Sequence, residues 1–193
     1  MKEDILEQLV DDYLQARGYF TRHNLKFKPR EDHPDYSARS DSNHSDIDVI
    51  GYNPNKQGVD RVWVVSCKSW QSGFRVKSKI DEIEQKKIIS GREAWKAFRE
   101  LSQPKWSEAF CEAVFEATGS HTFTYITAVT KIIGKRELWE NYKPFRNALK
   151  ENPIVLLSLE EMLKEISANL KATVASSDFG RTIQLLKASG VLH

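Results

Sequence analysis

Two short runs, Ser45-Asp46-Ile47-Asp48-Val49-Ile50-Gly51 and Val64-Val65-Ser66-Cys67-Lys68-Ser69-Trp70, hold the residues of this chain best suited to chemistry. Both are rich in β-branched residues, and the turn-forming stretch Asn53-Pro54-Asn55-Lys56-Gln57-Gly58 lies between them, so they read as a hairpin. Side chains alternate faces along a strand; Ser66 and Lys68 therefore share one face while Val65, Cys67 and Ser69 share the other. Hairpin pairing brings Asp48 to the first face. A carboxylate and an ammonium converging at the ends of adjacent strands supply an oxygen ligand for Mg²⁺ (or Mn²⁺) and a cation beside an attacking water. Metal-assisted phosphodiester hydrolysis needs both. The plainer alternative is an ordinary cross-strand ion pair on a solvated sheet face.

These residues must be positioned by the elements around them. Ile5, Leu9, Val10, Tyr13 and Leu14 fall on one face of a helix that Gly18 closes. Tyr19-Phe20-Thr21 opens an extended stretch to Phe27, and the polar segment Lys28 to Ser45 reads as an irregular loop. Strands are expected over Ile47 to Tyr52 and Val62 to Trp70. Lys77 to Thr118 turns helical, with Ile80, Ile83, Ile88, Trp95 and Phe98 as core candidates and Pro104 as a break. Phe123 to Ile133 returns to strand composition, Glu137 to Leu149 is helical, and Ile154 to Leu157 is a short apolar strand. Ser158-Leu159-Glu160-Glu161 looks like a capped helix start, and Ser176-Ser177-Asp178 precedes a last helix bearing Ile183, Leu185 and Leu186. The order α-β-β-β-α-β-α-β-α-α excludes all-β and bundle folds and predicts a mixed α/β domain. One domain is expected over 1–193, with a core at 1–133 carrying the motif and 134–193 adding a strand and C-terminal helices.

Composition narrows the function classes. With 40% hydrophobic and 29% charged residues the chain is not of disordered type. Lys+Arg 29 against Asp+Glu 27 gives a net charge of +2, so any basic footprint for nucleic acid must be local. Two clusters flank the site in sequence, and they make Lys26, Lys28, Arg30, Arg75 and Lys77 candidate phosphate contacts, with a solvated surface as the alternative. Cys67 and Cys111, the only cysteines, fall in a strand and a helix, which is no disulfide framework and points to a reducing, cytoplasmic setting. The N-terminus lacks the apolar stretch of a signal peptide, and no run of about eighteen apolar residues occurs, so no membrane association is expected.

A helix bearing Glu7, the turn Gly18-Tyr19, a strand opening Asp48-Val49-Ile50 and a strand ending Ser66-Cys67-Lys68 together resemble the PD-(D/E)xK nucleases. The resemblance covers the first half of the chain. It implies a restriction-endonuclease-like mixed central sheet flanked by helices, here with a helical C-terminal segment, and DNA as the substrate. It implies Asp48 and Glu7 as ligands of Mg²⁺ or Mn²⁺ together with the main-chain carbonyl of Cys67, and Lys68 as the residue that orients or deprotonates water. It also implies a homodimer, since cutting both strands of a duplex usually takes two active sites. The chain departs at Ser66, where the family usually carries Asp or Glu; a hydroxyl is a much weaker Mg²⁺ ligand. Either Asp46, Gln71 or Glu82 supplies the missing group, or metal binds weakly, or catalysis is lost. The rival reading is therefore a degenerate nuclease-fold protein that binds nucleic acid or a protein partner without cleavage. A purely structural or assembly protein is the third.

Bland readings stand beside the sharp ones. Glu3 and Asp11 share the helical side of Glu7, which fits a solvated acidic face as well as a site. His44 has no second His or Cys at ligand spacing and stays outside the metal site. Ser66 has neither an activating His placed by sequence nor a Gly-x-Ser-x-Gly elbow, so it enters the catalytic set only as the residue at the acid position. Cys67 reads as a core thiol facing away from Lys68. Trp70 is a candidate to stack on a base, or core. The run Ser176 to Arg181 is a helix N-terminus that could accept a phosphate, or a cap alone.

Overall fold

Helix α1 (Ile5–Ala16) begins at Asp4, whose carboxylate accepts the Leu6 N–H at 3.0 Å, and it buries Leu6, Leu9, Val10, Tyr13 and Leu14 along one face. The structure, a computed structural model, describes residues 4–169, 175 and 177–191; Glu3 and Ser176 lie outside them. Gly18 turns the chain after α1 at φ 82°, a conformation that costs glycine little. Strands β1 (Phe20–Phe27), β2 (Ser45–Tyr52) and β3 (Val62–Lys68) then form an antiparallel meander. Helices α2 (Val76–Glu84), α3 (Arg99–Ser102) and α4 (Pro104–Thr118) lead to β4 (Thr124–Val129), which lies parallel to β3. Strand β5 (Ile154–Ser158) lies parallel to β4, and helices α5 (Leu159–Asn169) and α6 (Asp178–Ala188) follow. The result is an α/β fold with a mixed sheet of five strands, neighbours in space as they are in sequence.

The alternation of side chains along the strands divides the core in two. Val49, Val65, Ile126 and Ala128 pack under α1 with Met162, Ile166 and Ile183 of the C-terminal helices. Their neighbours Val64, Tyr125 and Leu156 face the other way, onto Ile80, Phe98, Leu101, Trp106, Phe110 and Trp139. Helices thus cover both faces of the sheet, and each large apolar side chain they bury contributes about 1.5–3 kcal/mol. Gly51 sets the closeness of α1 to β2, because a Cβ there would meet Leu14 and Tyr19 at 3.2 Å.

Several boundaries differ from the sequence reading. Strand β3 stops at Lys68, and Trp70 leaves the sheet to stack on Phe74 at 5.9 Å, with the Lys79 ammonium 4.5 Å from its ring centroid. The expected strand to Ile133 divides, since Ile132–Ile133 pair with Phe74–Arg75 in a separate ribbon. Ile88 is 69% exposed on a small hairpin turned by Ser90 and Gly91, both at positive φ, which breaks the helical periodicity there. The helical stretch after Glu137 is two helices, Glu137–Glu140 and Lys143–Ala148, the second started by Pro144. Nor is the segment Lys28 to Ser45 wholly irregular. It contains the short helix Ala38–Asp41, and the buried Asp41 carboxylate accepts from Lys105 Nζ at 2.6 Å, the Ser37 N–H at 2.8 Å and Trp106 Nε1 at 3.3 Å.

Candidate active site

Strands β2 and β3 pair from Tyr52↔Val62 to Val49↔Val65 and then part. On the other flank the β1–β2 ladder skips the Asn24–Asp48 pair, where Asn24 takes φ 53°. Asparagine tolerates this left-handed region better than most residues. Both ladders are therefore interrupted at Asp48, and its carboxylate reaches across the fork to accept the Cys67 N–H at 2.6 Å. A backbone donor that faces the gap is thereby satisfied.

The period-two alternation puts Ser66 and Lys68 on the face of Val64. Lys68 Nζ lies 5.2 Å from the centroid of the Phe98 ring. Two residues further on, in α3, Glu100 is only 6% exposed and accepts a hydrogen bond from the Tyr125 hydroxyl of β4. Tyr125 stands beside Val64 in the β3–β4 register, and Ser66 is the next residue of β3 on the same face. Asp48, Ser66, Lys68, Glu100 and Tyr125 thus form one polar group at the fork, with Ser66, Glu100 and Tyr125 buried and Asp48 and Lys68 half-buried.

Burial dominates the electrostatics of this group. It pushes the Asp48 carboxyl above the ordinary carboxylate range, opposed by the Lys68 charge and the Cys67 N–H. It raises Glu100 too, again against Lys68 and against the Tyr125 hydroxyl. The Tyr125 phenol goes well above its ordinary value through burial and then the Glu100 charge. Among the described residues no ion pair within 4 Å joins Lys68 to either carboxylate. The Lys68 ammonium acts on two carboxylates, the buried Glu100 and the half-buried Asp48.

On the other face, Cys67 packs with the cluster beneath α1, away from Lys68. Burial, then the Asp48 charge, raises its thiol well above the ordinary value, and Glu7 and Asp4 add to the effect. Helix α1, which carries Glu7, packs on the Cys67 face of the sheet, while Lys68 lies on the opposite face. Its helical neighbour Asp11 is engaged by His23 Nε2 at 3.2 Å and by Gln15 at 2.8 Å. Of the three substitutes for an acid at position 66, Asp46 is paired with Lys26 at 2.7 Å, Glu82 with Lys79 at 2.5 Å, and Gln71 is exposed. The acid beside Lys68 is Glu100, which the sequence reading missed. The one local signal for it is an acid set between the core positions Phe98 and Leu101.

The basic candidates fall into two kinds. Lys26, Lys28 and Arg30 border a depression of about 370 Å³ with His44, Glu112 and Glu116, and each carries its own carboxylate: Asp46 at 2.7 Å, Glu31 at 3.1 Å and Asp32 at 2.8 Å. Arg75 and Lys77 are exposed at the start of α2. At the N-terminus of α6 the Ser177 side chain accepts the Gly180 N–H at 2.9 Å and donates to Asp12 at 2.5 Å, so capping occupies it.

Among the described residues no three His, Cys, Asp or Glu side chains group as a metal cage. The donors at the fork are nonetheless carboxylate and hydroxyl oxygens, the kind a hard cation takes, and Mg²⁺ is commonly held by one or two protein carboxylates with water completing its shell. The buried Glu100 and the half-buried Asp48, set against one ammonium, also leave negative charge that a cation neutralises. The donor set fits such an ion. No helix among the described residues is long and apolar enough to cross a membrane. Compared with protein-family models, curated proteins and solved structures, the chain matches none. Function is accordingly argued from this site.

Proposed function

We propose that the protein is a divalent-metal-dependent nuclease of restriction-endonuclease-like fold that hydrolyses DNA in a cytoplasmic setting, as a homodimer where both strands are cut. The observation that carries this reading is the convergence of the half-buried Asp48 and Lys68 at the fork between β2 and β3. An antiparallel meander continued by two parallel strands supports the fold assignment.

Asp48 and the Cys67 main-chain carbonyl would hold Mg²⁺ or Mn²⁺, with Glu7 approaching from the α1 side. The ion, when bound, supplies a more acidic water and neutralises phosphate charge. Lys68 orients the attacking water or takes its proton, and its ammonium offsets the charge that builds on the phosphate. The water oxygen bonds to phosphorus as one P–O ester bond breaks, and the departing oxygen takes up a proton. Arg75 and Lys77 contact phosphates directly, and Lys26, Lys28 and Arg30 do so by exchanging their carboxylate partners.

The test is cleavage of duplex, single-stranded and branched DNA with Mg²⁺ or Mn²⁺ by the native protein, Asp48→Ala and Lys68→Ala. Cutting by the native protein that both variants lose supports the reading. No cutting by folded native protein with either ion refutes it; DNA binding retained in that case establishes the second reading, a non-cleaving binder, which the uncharged Ser66 favours.

A further inference from the structure

We infer that Glu100 supplies the carboxylate that position 66 lacks, so that Asp48 and Glu100 together hold the cation on the Lys68 side of the sheet, with Tyr125 as the positioning residue. The inference rests on the nuclease reading above and adds a residue to its site.

The geometry runs in a short chain across two strands and a helix. Ser66 and Lys68 share a face, and the Tyr125 phenol stands beside Ser66 and donates to Glu100. Lys68 Nζ lies over Phe98, two residues before Glu100. Glu100 therefore occupies the next polar place beyond Ser66, on the side of the sheet that holds the ammonium. The serine at position 66 supplies no carboxylate of its own to that face.

The placement of this acid is costly without a ligand. Glu100 is 6% exposed, its side-chain bond is to a neutral phenol, and no Lys or Arg pairs with it within 4 Å among the described residues. Burial raises its carboxyl, and the Lys68 charge and the Tyr125 hydroxyl offset that only in part, so the buried acid still opposes folding. A leucine or glutamine would pack between Phe98 and Leu101 without that penalty. Glu7, by contrast, is carried by α1, which packs on the Cys67 face of the sheet. Two carboxylates on one side with water for the remaining positions are a usual protein contribution to Mg²⁺.

The experiment is Mn²⁺ titration of the whole chain without DNA, followed by calorimetry and by the electron paramagnetic resonance signal of free Mn²⁺. Glu100→Gln, shown folded by circular dichroism, binds Mn²⁺ at least about tenfold more weakly than the native protein, a loss no smaller than that of outer-shell changes at metal sites. The double variant Glu100→Gln with Ser66→Glu regains affinity, because the carboxylate returns from the strand. Native affinity in folded Glu100→Gln overturns the inference while leaving the nuclease site standing, provided Asp48→Ala still abolishes binding. A native protein that binds no Mn²⁺ overturns both. If Glu100→Gln does not fold, Tyr125→Phe decides: weakening by about tenfold supports the positioning role, and unchanged affinity overturns it.

Discussion

The Asp48 carboxylate accepts the backbone N–H of Cys67 at 2.6 Å, across the gap where β2 and β3 separate. One side chain therefore serves both the backbone and the candidate site. Asp48→Asn keeps an acceptor oxygen and unfolds at no lower urea concentration than the native protein. Asp48→Ala leaves the N–H without its partner and costs about 1–3 kcal/mol. Urea denaturation at neutral pH separates the two, and under the proposed function both lose DNA cleavage.

Asp41 ties the long polar segment to α4 through Lys105, at 2.6 Å, with side-chain exposures of 1% and 13%. Burial works to raise its carboxyl, but Lys105 and the Ser37 N–H outweigh burial and hold it below the ordinary range. The folded state thus takes up this proton less readily than the unfolded chain. The stabilisation is present above the unfolded value of about 4 and is lost as the pH falls through the folded value. The native Tm accordingly drops more steeply below about pH 4 than that of Asp41→Asn. At neutral pH, Asp41→Ala costs about 3–5 kcal/mol, because the largely buried Lys105 loses its only carboxylate among the described residues and keeps just the Asp35 carbonyl at 2.8 Å.

Thr127, fully buried in β4, accepts the Trp139 indole N–H at 3.1 Å. Thr127→Val preserves shape and removes the acceptor, so the indole donor is left unpaired at a cost of about 1–3 kcal/mol. Denaturation followed by tryptophan fluorescence reads this as a lower midpoint with an unchanged slope.

Gly51 has no left-handed backbone to protect, and its constraint is space. Gly51→Ala forces its new Cβ against Leu14 and Tyr19 at 3.2 Å. The resulting shift of α1 from β2 costs about 1–3 kcal/mol, seen as a lower melting temperature.

The elements legible in the sequence were those whose signal is local. The apolar face of α1, the β2–β3 hairpin and the order of helices and strands follow from periodicity over a few residues. The break at Asp48 was not legible, because it is set by where two strand ladders stop, on the β3 side after Val49↔Val65 and on the β1 side at Asn24. Glu100 was hidden for a similar reason: its closeness to Lys68 arises only when α3 packs on the sheet, and no local pattern encodes that approach. The basic run Lys26 to Arg30 shows both cases. Glu31 and Asp32 stand beside it in sequence, whereas Asp46 reaches Lys26 only through strand register.

The parallel pairing of β3 with β4 also orders events in time. A chain that has emerged from synthesis as far as Trp70 can close its β2–β3 hairpin in about 1–10 μs. Tyr125 and Glu100 join that hairpin only after β4 docks beside β3, a contact that must close the long loop between Val64 and Tyr125. A half-made chain therefore carries its recognisable motif with the acid cluster unassembled. Under the proposed function, a chain halted before β4 docks beside β3 does not cut DNA, whatever motif it already displays.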